Sequence, residues 1–231
     1  NQSGSVSVLL GMSGGVFASA VAYTVGGTLQ TLALGDINGD TKPDLAVANN
    51  AGFYVLLNDG AGVFSVADDF TAAGGVLALT DVNTDGKLDV AVAGTPGPIV
   101  RILLNITTSA ATPAFASAVE IPTVSDTHLS IAAGDLNGDG RPDLVTGQRY
   151  ANNLSVLINT TVSGTMTPSY ADAIAYSVGS DEAHAIAIGD LDGDGRPDLA
   201  AATTPESRSE PAIVPGSVVV LINNGDGSFG A

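Results

Sequence analysis

The chain has 231 residues, enough for one large domain or two small ones, and 45% of them are hydrophobic, so a sizeable core can form. Its 24 acidic against 7 basic residues give a net charge of −17, which makes nucleic acid and anionic membrane surfaces poor partners. There is no cysteine, hence no disulfide, and no apolar run reaches the roughly 18 residues of a membrane-spanning helix. With no initiator Met and no basic stretch leading into an apolar one, any signal peptide is expected to have been removed.

In chain order, SVSVLLGMSGGVFASAVAYTVG (5–26) predicts two strands. LQTLALG (29–35) predicts the next and leads into the acidic stretch GDINGDTKP, after which DLAVA (44–48), FYVLLN (53–58) and FSVADDFTAAG (64–74) follow. The series then recurs. VLALT, DVAVA, VRILLN and FASAVEIPTV occupy 76–124, and LSIAAG, DLVTG, LSVLIN and YADAIAYSVG occupy 129–179. AIAIG, DLAAA and VVVLIN occupy 185–223, and the sequence stops at GDGSFGA, where a fourth run would begin. The segments are short, rich in β-branched residues and bounded by Gly, Asn, Asp and Pro, so each reads as a strand. No segment has a helical period long enough to compete.

Between the first and second run of each series lies an acidic loop. The four loops begin at Asp36, Asp81, Asp135 and Asp190, and with their flanks they hold 13 of the 24 acids. Their first aspartates are 45, 54 and 55 residues apart, a period that signals repeat architecture. Four antiparallel strands per period make one propeller blade, and blades bury their faces only against neighbours. The unit Φ-x-Φ-x-G-D-Φ-N-G-D-G-x-x-D-Φ-Φ-Φ resembles the FG-GAP/VCBS repeat, the blade of integrin-α-like propellers. The resemblance covers essentially the whole chain. It implies an all-β fold, a propeller of four-stranded antiparallel blades, with about four to five blades here, some incomplete. The expected division is a half blade at 1–27, complete blades at 28–75, 76–127 and 128–182, and a blade lacking its last strand at 183–231. In that family the acidic loop is the hairpin between the first two strands of a blade, and it binds calcium.

The chemistry of the loop agrees. Calcium takes six to eight oxygens at about 2.3–2.6 Å, and a short loop supplies them only by curling around the ion. Side chains at positions 1, 3, 5 and 9 and the carbonyl at position 7 are the expected donors. These are Asp36, Asn38, Asp40, Asp44 and Lys42 in the first loop, and Asp81, Asn83, Asp85, Asp89 and Lys87 in the second. In the third they are Asp135, Asn137, Asp139, Asp143 and Arg141, and in the fourth Asp190, Asp192, Asp194, Asp198 and Arg196. The basic residue at position 7 is expected to donate its carbonyl and to point its side chain into solvent. Gly86, Gly140 and Gly195 permit positive φ at position 6, whereas Thr41 departs from this and predicts a strained first loop. An EF-hand is excluded, because position 12 is Val47, Val92, Thr146 or Ala201, and a strand follows instead of a helix. Asx-rich turns without metal are the bland alternative, but four copies in register, each with the ninth-position Asp, argue against it. Four Ca²⁺ would bring the charge from −17 to −9.

The opposite face is expected to carry His128, His184, Arg149, Tyr150 and the loop 203–217 with Glu206, Arg208 and Glu210. In propellers such a face often binds a ligand, though ordinary surface loops are the commoner case. Asn1, Asn105, Asn153 and Asn159 head glycosylation sequons, and none is assigned a glycan. No nucleophile elbow, zinc-type His cluster or phosphate loop is present, so an enzyme is not expected. The reading is a secreted or cell-surface calcium-binding scaffold for binding or adhesion, with a protein or glycan ligand on the face opposite the loops. The alternatives are a lectin-like glycan-binding module and part of a secreted polysaccharide-active enzyme. One strand is left over under any ring closure: 17–25 could complete the last blade as a clasp, or open blade edges are left for self-association.

Overall fold

Every regular element is a strand, in keeping with the sequence pattern; the computed structural model describes residues 4–70, 74–94, 97–125, 127–179, 181–205 and 216–230. Glu206, Arg208 and Glu210 lie outside the described residues. A two-stranded antiparallel sheet, β1 (Ser5–Val8) with β2 (Val21–Thr24), comes first. The first four-stranded sheet is β3 (Leu29–Gly35), β4 (Asp44–Asn49), β5 (Phe53–Asn58) and β6 (Phe64–Phe70). The second is β7 (Gly75–Thr80), β8 (Asp89–Gly94), β9 (Ile99–Leu103) and β10 (Val119–Pro122). The third is β11 (His128–Gly134), β12 (Asp143–Gln148), β13 (Asn153–Leu157) and β14 (Ile174–Ser177). The fourth is β15 (Asp181–Gly189), β16 (Asp198–Pro205), β17 (Ser217–Asn223) and β18 (Phe229–Gly230).

Each four-stranded sheet pairs its strands antiparallel in chain order, the pattern of a propeller blade. Where the sequence left the last blade without a fourth strand, the two residues of β18 pair with Ile222 and Asn223. The leading hairpin shares features with the last two strands of the later sheets. Its Gly11–Phe17 bridge repeats the Asn105–Phe115 and Asn159–Tyr170 bridges of the second and third blades. Tyr23 meets Phe64 edge-on at 5.7 Å and accepts the Phe64 amide, just as Tyr176 meets Phe229 at 5.4 Å and accepts its amide. β2 therefore lies against the first blade, with β1 as its pairing partner, and does not clasp the last one.

The core sits between the blades. Ile37, Ala46, Ala48, Phe53 and Val55 of the first blade pack on Leu77, Val90, Val92 and Leu103 of the second. Val100, Ile102 and Leu104 of the second pack with Leu144 and Leu157 of the third. Leu154 and Val156 of the third pack with Leu199, Leu221 and Phe229 of the fourth. A second strand sandwiched in this way is buried on both faces, which is why β4, β8 and β12 are buried along their whole length and why β4 and β8 are rich in Ala and Val rather than alternating apolar with polar.

Candidate metal centre

All four acidic loops close on one register: Gly35 faces Asp44, Thr80 faces Asp89, Gly134 faces Asp143 and Gly189 faces Asp198. The position-9 aspartate is fully buried in each blade. One carboxylate oxygen accepts the position-2 amide, from Ile37, Val82, Leu136 or Leu191, at 2.8–3.0 Å. The other accepts the amide of the Asn ending the third-strand segment, Asn58, Asn105, Asn159 or Asn223, at 2.7–2.9 Å. This residue thus ties the base of the loop to the third strand.

Position 1 frames the turn. Asp36 accepts the amides of Gly39, Asp40 and Thr41, and Asp135 and Asp190 repeat this with positions 4, 5 and 6 of their own loops. Asp81 accepts from Asp85 and Gly86. Position 6 has positive φ throughout: 69° at Thr41, 87° at Gly86, 82° at Gly140 and 86° at Gly195. The strained first loop expected from Thr41 thus has its geometric basis. Position 4 has positive φ too, at Gly39, Gly138 and Gly193, and in the second loop the residue there is Thr84 at 53°. The sequence reading missed this second requirement, although the glycine at position 4 of three loops was its signal.

Position 3 depends on the neighbouring blade. The long connections after β9 and β13 reach back over the preceding loops, so Asn38 donates to the Ala110 carbonyl at 2.7 Å and Asn83 to the Thr165 carbonyl at 3.0 Å. The fourth blade's connection (224–228) is short, and Asn137 donates within its own loop, to Asp139. In the fourth loop, position 3 is Asp192. Carboxylate oxygens of Asp190, Asp192 and Asp194 lie within 4.8 Å of one another, an exposed oxygen-only donor set that fits a hard divalent cation. The other loops carry an amide at position 3, so each holds one fewer carboxylate there.

All four position-7 side chains find a partner while staying partly exposed, where the sequence led us to expect solvent alone. Lys42 pairs with Asp40 at 3.1 Å, and Arg141 and Arg196 pair with Asp139 and Asp194. The position-5 carboxylate, two residues away, is the nearest acidic partner for a long cationic side chain. Lys87 instead donates to the Thr107 carbonyl at 2.9 Å.

Burial grades the position-9 acids. Asp89 and Asp143 are flanked by blades on both sides, and desolvation pushes each up to about 6 despite the two amides they accept. Burial also raises Asp44, beside the hairpin. Asp198, in the last blade of the row, accepts the same kind of hydrogen bonds with less around it, so the Asn223 and Leu191 amides hold it below the usual range.

Two of the sequon asparagines have a structural role. Asn105 donates to the carbonyls of Ile37 (2.8 Å) and Leu88 (3.0 Å), and Asn159 to those of Val82 (2.9 Å) and Pro142 (3.0 Å). Asn223 repeats the pattern with Leu136 and Pro197. On the opposite face, Arg149, Tyr150 and His184 come together around Glu182, a residue the sequence reading did not single out.

Family comparisons agree with this repeat geometry. The FG-GAP-like repeat matches residues 36–92, 81–146 and 135–201, and the FG-GAP repeat matches 183–221. The chain belongs to the FG-GAP repeat family. Among solved structures it is similar to an Agrocybe aegerita lectin that specifically recognises non-reducing terminal N-acetylglucosamine, with 20% identity and a TM-score of 0.57 over 97% of this chain. It also matches a V. cholerae biofilm matrix protein, with 18% identity and a TM-score of 0.45 over 88% of this chain. The chain spans 59% and 39% of the lengths of these two proteins. A comparison with curated proteins gives no match.

Proposed function

We propose that the chain is a calcium-stabilised, non-catalytic binding scaffold that works outside the cell. The observation that carries the reading is the recurrence of one loop frame in four blades, with position 1 organising the turn and position 9 anchoring its base. Carboxylates crowded in this way repel one another unless a cation joins them, and an oxygen-only set suits Ca²⁺. The ligands are the side chains at positions 1, 3, 5 and 9, with the position-7 carbonyl as the fifth donor. An extracellular site of millimolar to sub-millimolar affinity fills where calcium is millimolar, which favours secretion. No helix among the described residues is long and apolar enough to cross a membrane. The face opposite the loops is free to carry a protein or glycan ligand, and the likeness to a lectin makes glycans the first class to try.

Calorimetric titration of chelator-stripped protein with CaCl₂ tests the reading. About four ions should bind, and at millimolar calcium each contributes on the order of 1 kcal/mol of stability. Asp194→Ala should remove one site. If no calcium is taken up and the chelator leaves Tm unchanged, the reading is wrong.

A further inference from the structure

The face opposite the acidic loops holds a cavity of about 410 Å³, lined by residues of the first three blades. Gln30 and Arg149 give it polar side chains, the buried His128 beside them is held through Nε2 by the Thr123 hydroxyl at 3.0 Å, and Gly75 and Gly94 leave part of its wall as bare backbone. At these two glycines a Cβ would collide with the Ala93 and Gly74 carbonyls, so no side chain can be placed there.

Two features show how the polar side chains are set. The first is a β-bulge at the start of the inner strand in three of the four blades. The register skips between Leu29 and Thr31, between His128 and Ser130, and between Ala183 and Ala185. The extra residues are Gln30, Leu129 and His184, and the first two line the cavity. Bulges re-aim side chains in this way at ligand sites. The second is the anchoring of Arg149. Glu182 is buried and takes the Arg149 Nε at 3.5 Å and the His184 Nε2 at 3.4 Å. The Tyr150 ring lies 5.1 Å from the guanidinium carbon. Because Glu182 engages Nε, the distal pair of guanidinium nitrogens is left to a ligand.

Four of the seven bases occupy position 7 of the acidic loops, whereas Arg149 and the chain's two histidines gather here. A guanidinium fork selects a planar carboxylate, and an amide beside it suits hydroxyl groups.

We propose that this cavity binds a polyhydroxylated carboxylate, the chemistry shared by a uronic acid residue and a free hydroxy acid, with Arg149 on the carboxylate and Gln30 on a hydroxyl. It rests on the reading that this face carries the ligand. The test titrates the calcium-loaded chain with D-glucuronate, D-gluconate, D-glucose and acetate by calorimetry. Glucuronate or gluconate should bind at least about tenfold more tightly than glucose or acetate, the ring form indicating a sugar and the open form a free acid. Arg149→Gln should weaken binding by about tenfold or more and remove the preference over glucose, and Gln30→Ala should weaken it less, with calcium uptake kept in both as the sign of an intact fold. Equal binding of glucose, or affinity unmoved by Arg149→Gln, overturns the proposal, as does no binding of either acid. Calcium uptake in the same sample reports separately on the scaffold reading.

Discussion

Thr41 and Thr84 hold backbone angles that glycine holds elsewhere in the loops, with φ of 69° and 53°. A side chain in this region costs about 1–3 kcal/mol, while glycine adds about 0.5–1 kcal/mol of unfolded-state freedom. Thr41→Gly should therefore stabilise the chain by on the order of 1 kcal/mol, raising Tm by about 2–4 °C, and should tighten the first calcium site or leave it unchanged. Thr84→Gly also loses the 2.6 Å hydrogen bond between the Thr84 and Ser163 hydroxyls, so its net effect should be near zero. A lower Tm for Thr41→Gly would refute the strain argument. The buried acids supply a pH dependence. Asp89 and Asp143 titrate near 6 when folded, above their ordinary value of 3.8. The folded state therefore binds the extra protons, and the stabilisation is full below about pH 4 and lost as pH rises through about 6. Calcium requires the ionised form, so its affinity at the second and third loops should climb over that range. Melts of chelator-stripped protein and calcium titrations from pH 5 to 7 check both signs; a flat profile in each would count against them.

At the scale of the element, the hairpin ladder and the acidic loops were legible in the sequence because both are local. Turn residues bound each strand, and the spacing of the acids repeats within nine positions. The parts that were not legible depend on neighbours. The bulges at Gln30, Leu129 and His184 follow from the register between two strands, and the grouping around Glu182 joins residues from two blades. The asparagine ending each third-strand segment was visible as a repeat, but its partner was not. Its amide reaches the preceding blade's loop, from Asn105 to Ile37, Asn159 to Val82 and Asn223 to Leu136. Asn159→Asp would turn two buried donors into an acceptor facing two carbonyls, at a cost of about 3 kcal/mol or more. Asn58 is partly exposed and its amide donates to Pro43 alone, so Asn58→Ala should cost clearly less. Thermal melts of the two variants compare them directly, and equal losses would show that the inter-blade bond adds nothing.

At the scale of the molecule, the two ends of the row expose surfaces that are buried everywhere inside it. Val218 and Val220 are 68% and 42% exposed, while Leu154 and Val156 at the same positions in the third blade are 0% exposed against the fourth. Leu191 is 54% exposed where Leu136 is 1%. At the other end Leu32 is 52% exposed where Leu77 is 5%, because the hairpin of β1 and β2 supplies only the outer half of a blade and leaves the inner strand β3 uncovered. The sequence reading placed the tendency to associate at open strand edges; the exposed apolar surface lies instead on blade faces. Apolar patches of this kind mark association surfaces. We therefore expect the 231-residue chain in calcium to self-associate as its concentration rises, with light scattering reporting a mass above that of a single chain. Val218→Glu combined with Val220→Glu should return it to single-chain mass without lowering Tm, because both side chains already face solvent. A single-chain mass at about 100 μM for the unmodified chain, well above the micromolar range of ordinary self-association, would show that these faces are tolerated uncovered.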